Sequence, residues 1–373
     1  MTALTDQLRD RAGDLPEMCA RPLVPLPPQP AGVPWPTEAW PTADPDPAVA
    51  GRLVALLDDL TGDVDRYGTT YAVAVAHRGV LVAEHYGGVL EHWDRPFEPV
   101  EPTTRLMSWS MAKSILHAVV GTLVGEGRLA LEGPAPVPEW SDPADPRHAI
   151  TLGDLLEMRD GLAFSEDYAD AGVSDVIEML FGAGEADMAH FAADRPLAHP
   201  PGTVFNYSSG TSNIVSGIVA RQVGPGAPYE ALLRGRLFGP LGMRSATPAF
   251  DAAGTFVGSS SVHATAQDFL RFGLLYLREG VWEGRRLLPA GWVDHGRRIR
   301  SYDPPEDRWY GAHWWSVGDD LGTFWASGYE GQSIMICPPL DLLTVRLGRS
   351  TGDDHNATLA AWRAALVDAF RAV

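Results

Sequence analysis

Lysine is almost absent from this chain. Of its 29 basic residues only Lys113 is a lysine; the others are arginines. Arginine cannot give up its proton inside a protein, whereas a buried lysine can. The one lysine is therefore a candidate for a position that needs a neutral amine. Cysteine is nearly as scarce. Cys19 and Cys337 lie far apart in sequence, too few to frame a disulfide-stapled domain, so a reducing cytoplasm is expected. No run of about 18 apolar residues occurs, which excludes a membrane-spanning helix of that kind. The opening stretch MTALTDQLRDRAGDLPEM is charged throughout and lacks the apolar centre of a signal peptide. Positive charge is in deficit overall, and a formal net charge of -19 disfavours nucleic acid and anionic membrane surfaces as partners. The histidines show no H-E-x-x-H and no metal-type spacing with a carboxylate, so neither metal nor cofactor is expected. There is no G-x-S-x-G elbow, which argues against an α/β-hydrolase.

The 373 residues are 45% hydrophobic and 21% charged, ordinary values for a globular chain with a sizeable core. Residues 1–48 read as an arm, because the stretch from Arg21 to Pro47 is too rich in proline for a helix interior or a central strand. Apolar spacing predicts a short helix over 49–61, from Val49 to Leu60. Two β-prone runs, Tyr71–Arg78 and Val80–Tyr86, flank Gly79 as a hairpin signal. A buried helix follows over 111–124, ending near Gly125–Gly127. Thr151 is placed to cap TLGDLLEM, and residues 160–250 read as helical pieces broken by loops. After an amphipathic helix over Ala266–Glu279 come short strands at Tyr310–Ser316, Gly322–Ser327, Gln332–Cys337 and Leu342–Leu347, then a last helix over about 357–371. Strands gather at the two ends of the chain and helices fill its middle. The expected fold is α/β (α+β): an antiparallel sheet flanked by helices, built from residues 49–105 and 251–373, with a mostly helical domain inserted at 106–250. Such an insertion is tolerated because chain closure costs little more as length grows.

The lone lysine stands in Ser110-Met111-Ala112-Lys113. A serine and a lysine spaced i, i+3 share one helix face. If the helix begins at the serine, its hydroxyl meets the positive helix end, which favours a developing alkoxide, and the lysine leans back over it. Apolar neighbours would lower the lysine pKa and make it a base. A second segment, Phe205-Asn206-Tyr207-Ser208-Ser209-Gly210, places a loop tyrosine just before an apolar helix, where it can pass a proton if a nearby cation lowers its pKa. A third, Gly328-Tyr329-Glu330-Gly331-Gln332, opens a strand. Its glycines let backbone approach a ligand, and an edge N–H there can serve an oxyanion hole. Trp109, Trp314, Trp315 and Trp325 are candidates to line an apolar acyl pocket. His117, one turn beyond Lys113, reads as a core or supporting histidine.

These three segments, in this order, resemble the serine β-lactamase and penicillin-binding-protein superfamily, whose lead motif is S-x-x-K. The closer resemblance is to its carboxylesterase and 6-aminohexanoate-dimer (nylon-oligomer) hydrolase branch. It is carried by SWSMAKS, ITLGDLLEMRDGL, SEDY, PGTVFNYSS, SVHATAQDFLRFGLLYL and ASGYEGQ, over roughly residues 70–348. The resemblance implies Ser110 as acylated nucleophile, Lys113 as base and Tyr207 as proton shuttle to the leaving group. It implies backbone N–H groups of Ser110 and Gln332 as oxyanion hole, and Tyr168 as a loop tyrosine facing the substrate. Ser209, Trp109, Tyr329, Glu330 and Gly331 complete the expected substrate-binding set.

Two positions depart from the pattern. Ser209 stands where the second motif usually has asparagine. Tyr329 stands where the third motif of lactamases and peptidases has lysine or histidine, so the cation that grips a substrate carboxylate is missing there. Both departures point away from antibiotic hydrolysis and toward small neutral esters or amides as substrates. Two other functions stay open: an acyltransferase with the same serine and lysine, and a catalytically inactive binding protein. Whether an arginine replaces the missing cation, and whether the chain is a monomer or a homodimer, also stay open.

Overall fold

The computed structural model describes residues 11–91, 96–168, 174–352, 354–371 and 373. Helix α1 (Pro47–Gly62) starts where Asp46 accepts the N–H of Ala48 and Pro47 occupies the first turn, a position that needs no donor. Strands β1 (Thr69–His77) and β2 (Val80–Tyr86) follow. Their turn, Arg78–Gly79, has φ of 52° and 78°, the mirror-image geometry that matches strand twist in a two-residue hairpin. Six strands come from the other end of the chain: β3 (Ser301–Asp303), β4 (Arg308–Tyr310), β5 (Trp315–Ser316), β6 (Phe324–Gly328), β7 (Gln332–Cys337) and β8 (Leu342–Arg349). They form one antiparallel sheet in the order β3-β4-β5-β6-β7-β8-β1-β2. β1 pairs with β8, from Thr69 opposite Arg349 to His77 opposite Leu342, so the two ends of the chain meet at this seam.

Both faces of the sheet are covered, which is why its central strands read as unbroken apolar runs. Ala72, Ala74 and Ala76 of β1, with Ile334, Ile336, Leu343 and Val345, face one core, while Val73, Val75, Met335, Cys337 and Leu342 face the other. On the first face lies α4 (Ala266–Leu277), so close that a Cβ on Gly273 would stand 2.5 Å from a methyl of Leu343. The same core continues without a break into α2 (Ala112–Gly125) and α3 (Ser209–Val223). The second face is covered by α1 and the C-terminal helix α5 (His355–Phe370), through Leu53, Leu60, Trp362 and Leu366. The fold is thus the expected antiparallel sheet flanked by helices.

Three differences from the sequence reading concern the arm and the main sheet. The arm holds a short helix, Leu15–Ala20, and beyond it the proline-rich stretch is tied down by Trp40, whose indole donates to the Gln267 carbonyl at 3.1 Å; residues 1–10 of the arm lie outside the described residues. A strand Ser301–Asp303, with no apolar alternation to announce it, extends the sheet. The run read as one strand over Tyr310–Ser316 is two strands, broken at Gly311–Trp314. A Cβ on Gly311 would lie 2.0 Å from the Gly296 carbonyl, and His313 has φ of 55°, so the chain turns here where close approach and a left-handed residue force it to.

Candidate active site

Ser110 lies on a single 3-10 turn, Trp109–Met111, that runs directly into α2. The turn is anchored by Ser108. Its N–H donates to the Val262 carbonyl at 2.8 Å, and its hydroxyl accepts the Val262 N–H at 3.1 Å. Trp109 has φ of 44°, a conformation a bulky residue adopts only when its surroundings hold it there. The end of β6 presses on the same turn, since a Cβ on Gly328 would stand 2.4 Å from the Ser108 carbonyl. The third segment is therefore brought against the first.

Lys113 is one turn into the helix and 2% exposed. Its Nζ lies 3.1 Å from Ser110 Oγ, 3.0 Å from Ser209 Oγ and 3.0 Å from the Ser259 carbonyl. Burial draws its ammonium down to about 8, against the upward pull of the Glu166 carboxylate. Tyr207 lies over the same amine, with Nζ 4.9 Å from its ring centroid, and Ser110 is close enough to its hydroxyl to act on the phenol's titration. Its ring is fixed by Trp315 at 5.2 Å and Tyr310 at 6.0 Å between centroids. The sequence reading required a lowered pKa for this tyrosine; the structure gives the reverse. Burial and then Glu166 raise it, so Tyr207 is held as the neutral phenol, a proton donor.

Glu166 is the site residue that sequence reasoning passed over. It stands two places before Tyr168 in the SEDY segment, and that segment was the only signal for it. Its carboxylate accepts three hydrogen bonds: from the Ser209 N–H at 2.7 Å, the Ser209 hydroxyl at 2.5 Å and the Tyr168 hydroxyl at 2.6 Å. The two segments are held in register by Asn206, which donates from its side chain to the Phe164 carbonyl at 3.1 Å and from its N–H to the Met158 carbonyl at 2.9 Å. His313 supports the site from beneath, with Nδ1 3.0 Å from the Lys113 carbonyl; burial and then the Lys113 charge hold its pKa down to about 3, so it is neutral.

The remaining expected residues divide into two groups. Tyr168, Tyr329 and Trp109 form an aromatic rim. Tyr168 stacks on Tyr329 at 5.2 Å, Trp109 meets Tyr329 edge-on at 5.5 Å, and the two tyrosines are 42% and 45% exposed. Glu330 stands behind this rim, its carboxylate 3.7 Å from Arg349. The others face inward. Ser209 is fully buried, and its hydroxyl joins Lys113 to Glu166. Gln332 is buried, and its amide holds the Gly348 and Tyr329 carbonyls at 2.6 and 2.9 Å. Gly331 packs against Arg346 and Leu359. Among the tryptophans, Trp315 touches Tyr207, but Trp314 lies in the core against Tyr276 and Phe324, and Trp325 faces the side of the sheet covered by α5. His117 is bonded to Tyr276 at 2.8 Å and His295 at 3.2 Å and stacked on Trp292, as a supporting histidine would be.

The arginines nearest the missing cation are already engaged. Arg346 spends its donors on the carbonyls of Glu330, Tyr67 and Thr69 and on the hydroxyls of Thr70 and Ser350. Arg349 lies 3.4 Å from Glu91. Among the described residues no group of acids, histidines and cysteines could hold a metal ion, and no helix is long and apolar enough to cross a membrane.

Comparison with known proteins gives the family of the chain. The family model described as Beta-lactamase matches residues 55–369. The 6-aminohexanoate-dimer hydrolase of Paenarthrobacter ureafaciens is 29% identical over 294 residues, covering 73% of each chain. Protein Rv1367c of Mycobacterium tuberculosis is 27% identical over 277 residues, 60% of this chain and 66% of that one. Among solved structures, a Bacillus anthracis protein assigned as a 6-aminohexanoate-dimer hydrolase superposes with a TM-score of 0.71 at 21% identity, over 98% of this chain and 94% of that one. EstCE1, a hydrolase with promiscuous acyltransferase activity, superposes with a TM-score of 0.67 at 16% identity, over 87% and 98%. The chain belongs to the beta-lactamase family and is a serine hydrolase of that fold.

Proposed function

We propose that the protein hydrolyses small neutral esters or amides through an acyl-enzyme on Ser110. The observation that carries this reading is the position of Lys113, buried and 3.1 Å from Ser110 Oγ. In its neutral form the amine takes the proton of the Ser110 hydroxyl as the oxygen attacks the substrate carbonyl. Tyr207, held as a phenol beside the same oxygen, donates its proton to the leaving alcohol or amine and is reprotonated from Lys113. Water then attacks the acyl-serine by the reverse route, giving the carboxylic acid and free Ser110. The carbonyl oxygen would be received by the N–H of Ser110 and by one from the turn after β6. Within that turn Tyr329 is favoured over Gln332, because Tyr329 directly follows the glycine packed on the nucleophile turn and its ring borders the rim.

The substrate class follows from charge. The rim is aromatic, and the third segment offers no free cation for a carboxylate. A substrate that needs a charged hydrogen bond there forgoes about 1.5–3 kcal/mol, roughly 10–150-fold in affinity or rate. The relative from Paenarthrobacter ureafaciens is named a 6-aminohexanoate-dimer hydrolase, in keeping with hydrolysis as the reaction. The test compares p-nitrophenyl acetate, a linear amide and nitrocefin on the wild-type chain and Ser110→Ala, with mass spectrometry for an acyl adduct on Ser110. Turnover surviving in Ser110→Ala removes the nucleophile assignment. Nitrocefin turnover faster than ester turnover at equal concentration removes the substrate class. Product transferred to an added alcohol in preference to water would make the protein an acyltransferase.

A further inference from the structure

A cleft of about 770 Å³ opens between α5 and the sheet, on the face away from α2. That volume falls within the range of small-molecule sites. Its walls include Trp325 and Met335 from the sheet and Ala360, Ala364 and Val367 from the helix. It is separate from Ser110. Trp315, 6% exposed, stands between the two, touching Tyr207 on one side and stacking on Trp325 at 6.3 Å on the other.

Four arginines line the cleft. Three have carboxylate partners: Arg11 with Asp307 at 2.7 Å, Arg308 with Glu306 at 3.1 Å, and Arg371 with Asp320 and Asp368, each at 3.3 Å. The fourth, Arg363, has no carboxylate partner among the described residues, in a chain whose net charge is -19. Its guanidinium lies over the Trp325 ring at 5.8 Å, and Arg308 and Arg346 act on it with like charge. Burial first, and then those charges, lower its pKa to about 9. Of the carboxylates lining the cleft, Glu306, Asp307 and Asp368 are each paired with another arginine and Asp319 accepts the Thr323 N–H at 2.8 Å, so the part-buried Arg363 guanidinium is the cation left open to an anion from outside. One free guanidinium matches one carboxylate through paired parallel hydrogen bonds, whereas a phosphate dianion would call for further free cations.

We propose that this cleft is a second binding site, for an organic monocarboxylate whose carboxylate sits on Arg363 and whose apolar body lies against Trp325 and the alanine face of α5. The probe is 4-phenylbutyrate, with its uncharged primary amide as control, titrated calorimetrically into the full-length protein, Arg363→Met and Ala364→Trp. The last variant fills the cleft without touching the guanidinium. The site predicts saturable binding of the carboxylate to the wild-type chain. Binding should be at least tenfold weaker for the amide, for Arg363→Met and for Ala364→Trp. Arg363→Met should also melt at the same temperature as wild type or higher, because it removes an uncompensated charge. Undiminished binding in both variants, equal binding of the amide, or absence of saturable binding at millimolar probe would each overturn the site. A lower melting temperature in Arg363→Met would show that the guanidinium has a structural partner and would overturn it as well.

Discussion

The Ser209 hydroxyl donates to Glu166 across 2.5 Å while accepting from Lys113 at 3.0 Å. One buried hydroxyl thus joins the base to a carboxylate, and it occupies the position where an asparagine was expected to meet substrate. Glu166 holds up the Lys113 pKa that burial lowers. In Glu166→Gln that support is removed, so the pKa of the lysine falls below about 8. Because the neutral amine is the active form, activity rises with pH through this pKa. The acid limb of the kcat/KM profile should therefore move to lower pH in the variant. A limb that stays in place or moves upward would show that the carboxylate is not coupled to the base.

Lys113→Arg should be nearly as inactive as Lys113→Ala, because arginine keeps the charge but cannot accept the proton. The stability effect has a definite sign. The lysine titrates near 8 in the folded chain against 10.5 ordinarily, so between these values the unfolded chain binds more protons and stability rises with pH. The difference corresponds to about 3 kcal/mol disfavouring the folded state below pH 8. Lys113→Met removes this dependence. Its melting temperature relative to wild type should fall steadily as pH rises across that window, and a constant difference would count against a depressed lysine.

Much of this architecture is written in the chain. β7 was legible as Gln332–Cys337 because every residue in it is buried and apolar runs survive where both sheet faces are covered. The Thr151 cap was legible because Asp154 completes a reciprocal pair with it, a local pattern within four residues. Ser110 and Lys113 were legible for the same reason, being one helical turn apart. Glu166 was not, since its partner Ser209 lies 43 residues away and nothing local marks that meeting. The break at Gly311–Trp314 was hidden because its Trp314 is as strand-prone as Trp315 of β5. What divides the run is the close approach of the Gly296 carbonyl, which leaves no room for a side chain at Gly311 and accepts the Ala312 N–H at 2.9 Å, a contact made only in the folded chain.

Tyr207→Phe separates the two proton transfers. The phenol donates to the leaving group, and p-nitrophenolate leaves without a proton whereas an alkyl amine does not. Loss of a positioned acid costs roughly 10²–10⁴-fold. We expect a loss of that size in kcat for a linear amide and a much smaller one for p-nitrophenyl acetate. Equal losses on both substrates would make Tyr207 a positioning residue for Ser110.

Gly328→Ala tests the contact that joins the third segment to the first. The added methyl carbon would stand 2.4 Å from the Ser108 carbonyl and 3.0 Å from Gln332 Cβ. The φ of Gly328 is -134°, an extended value that alanine adopts freely, so the effect is collision and not backbone strain. Ser108 cannot retreat without breaking its bonds to Val262, so the turn carrying Ser110 must shift. Overpacking of this kind costs about 1–3 kcal/mol, and a displacement near 1 Å at the reacting atoms costs on the order of 10²-fold in rate. Thermal melting and ester kinetics on the same preparation give both numbers. A variant that melts lower but retains its kcat would mean that β6 relaxes away and that its proximity to Ser110 is not needed for turnover.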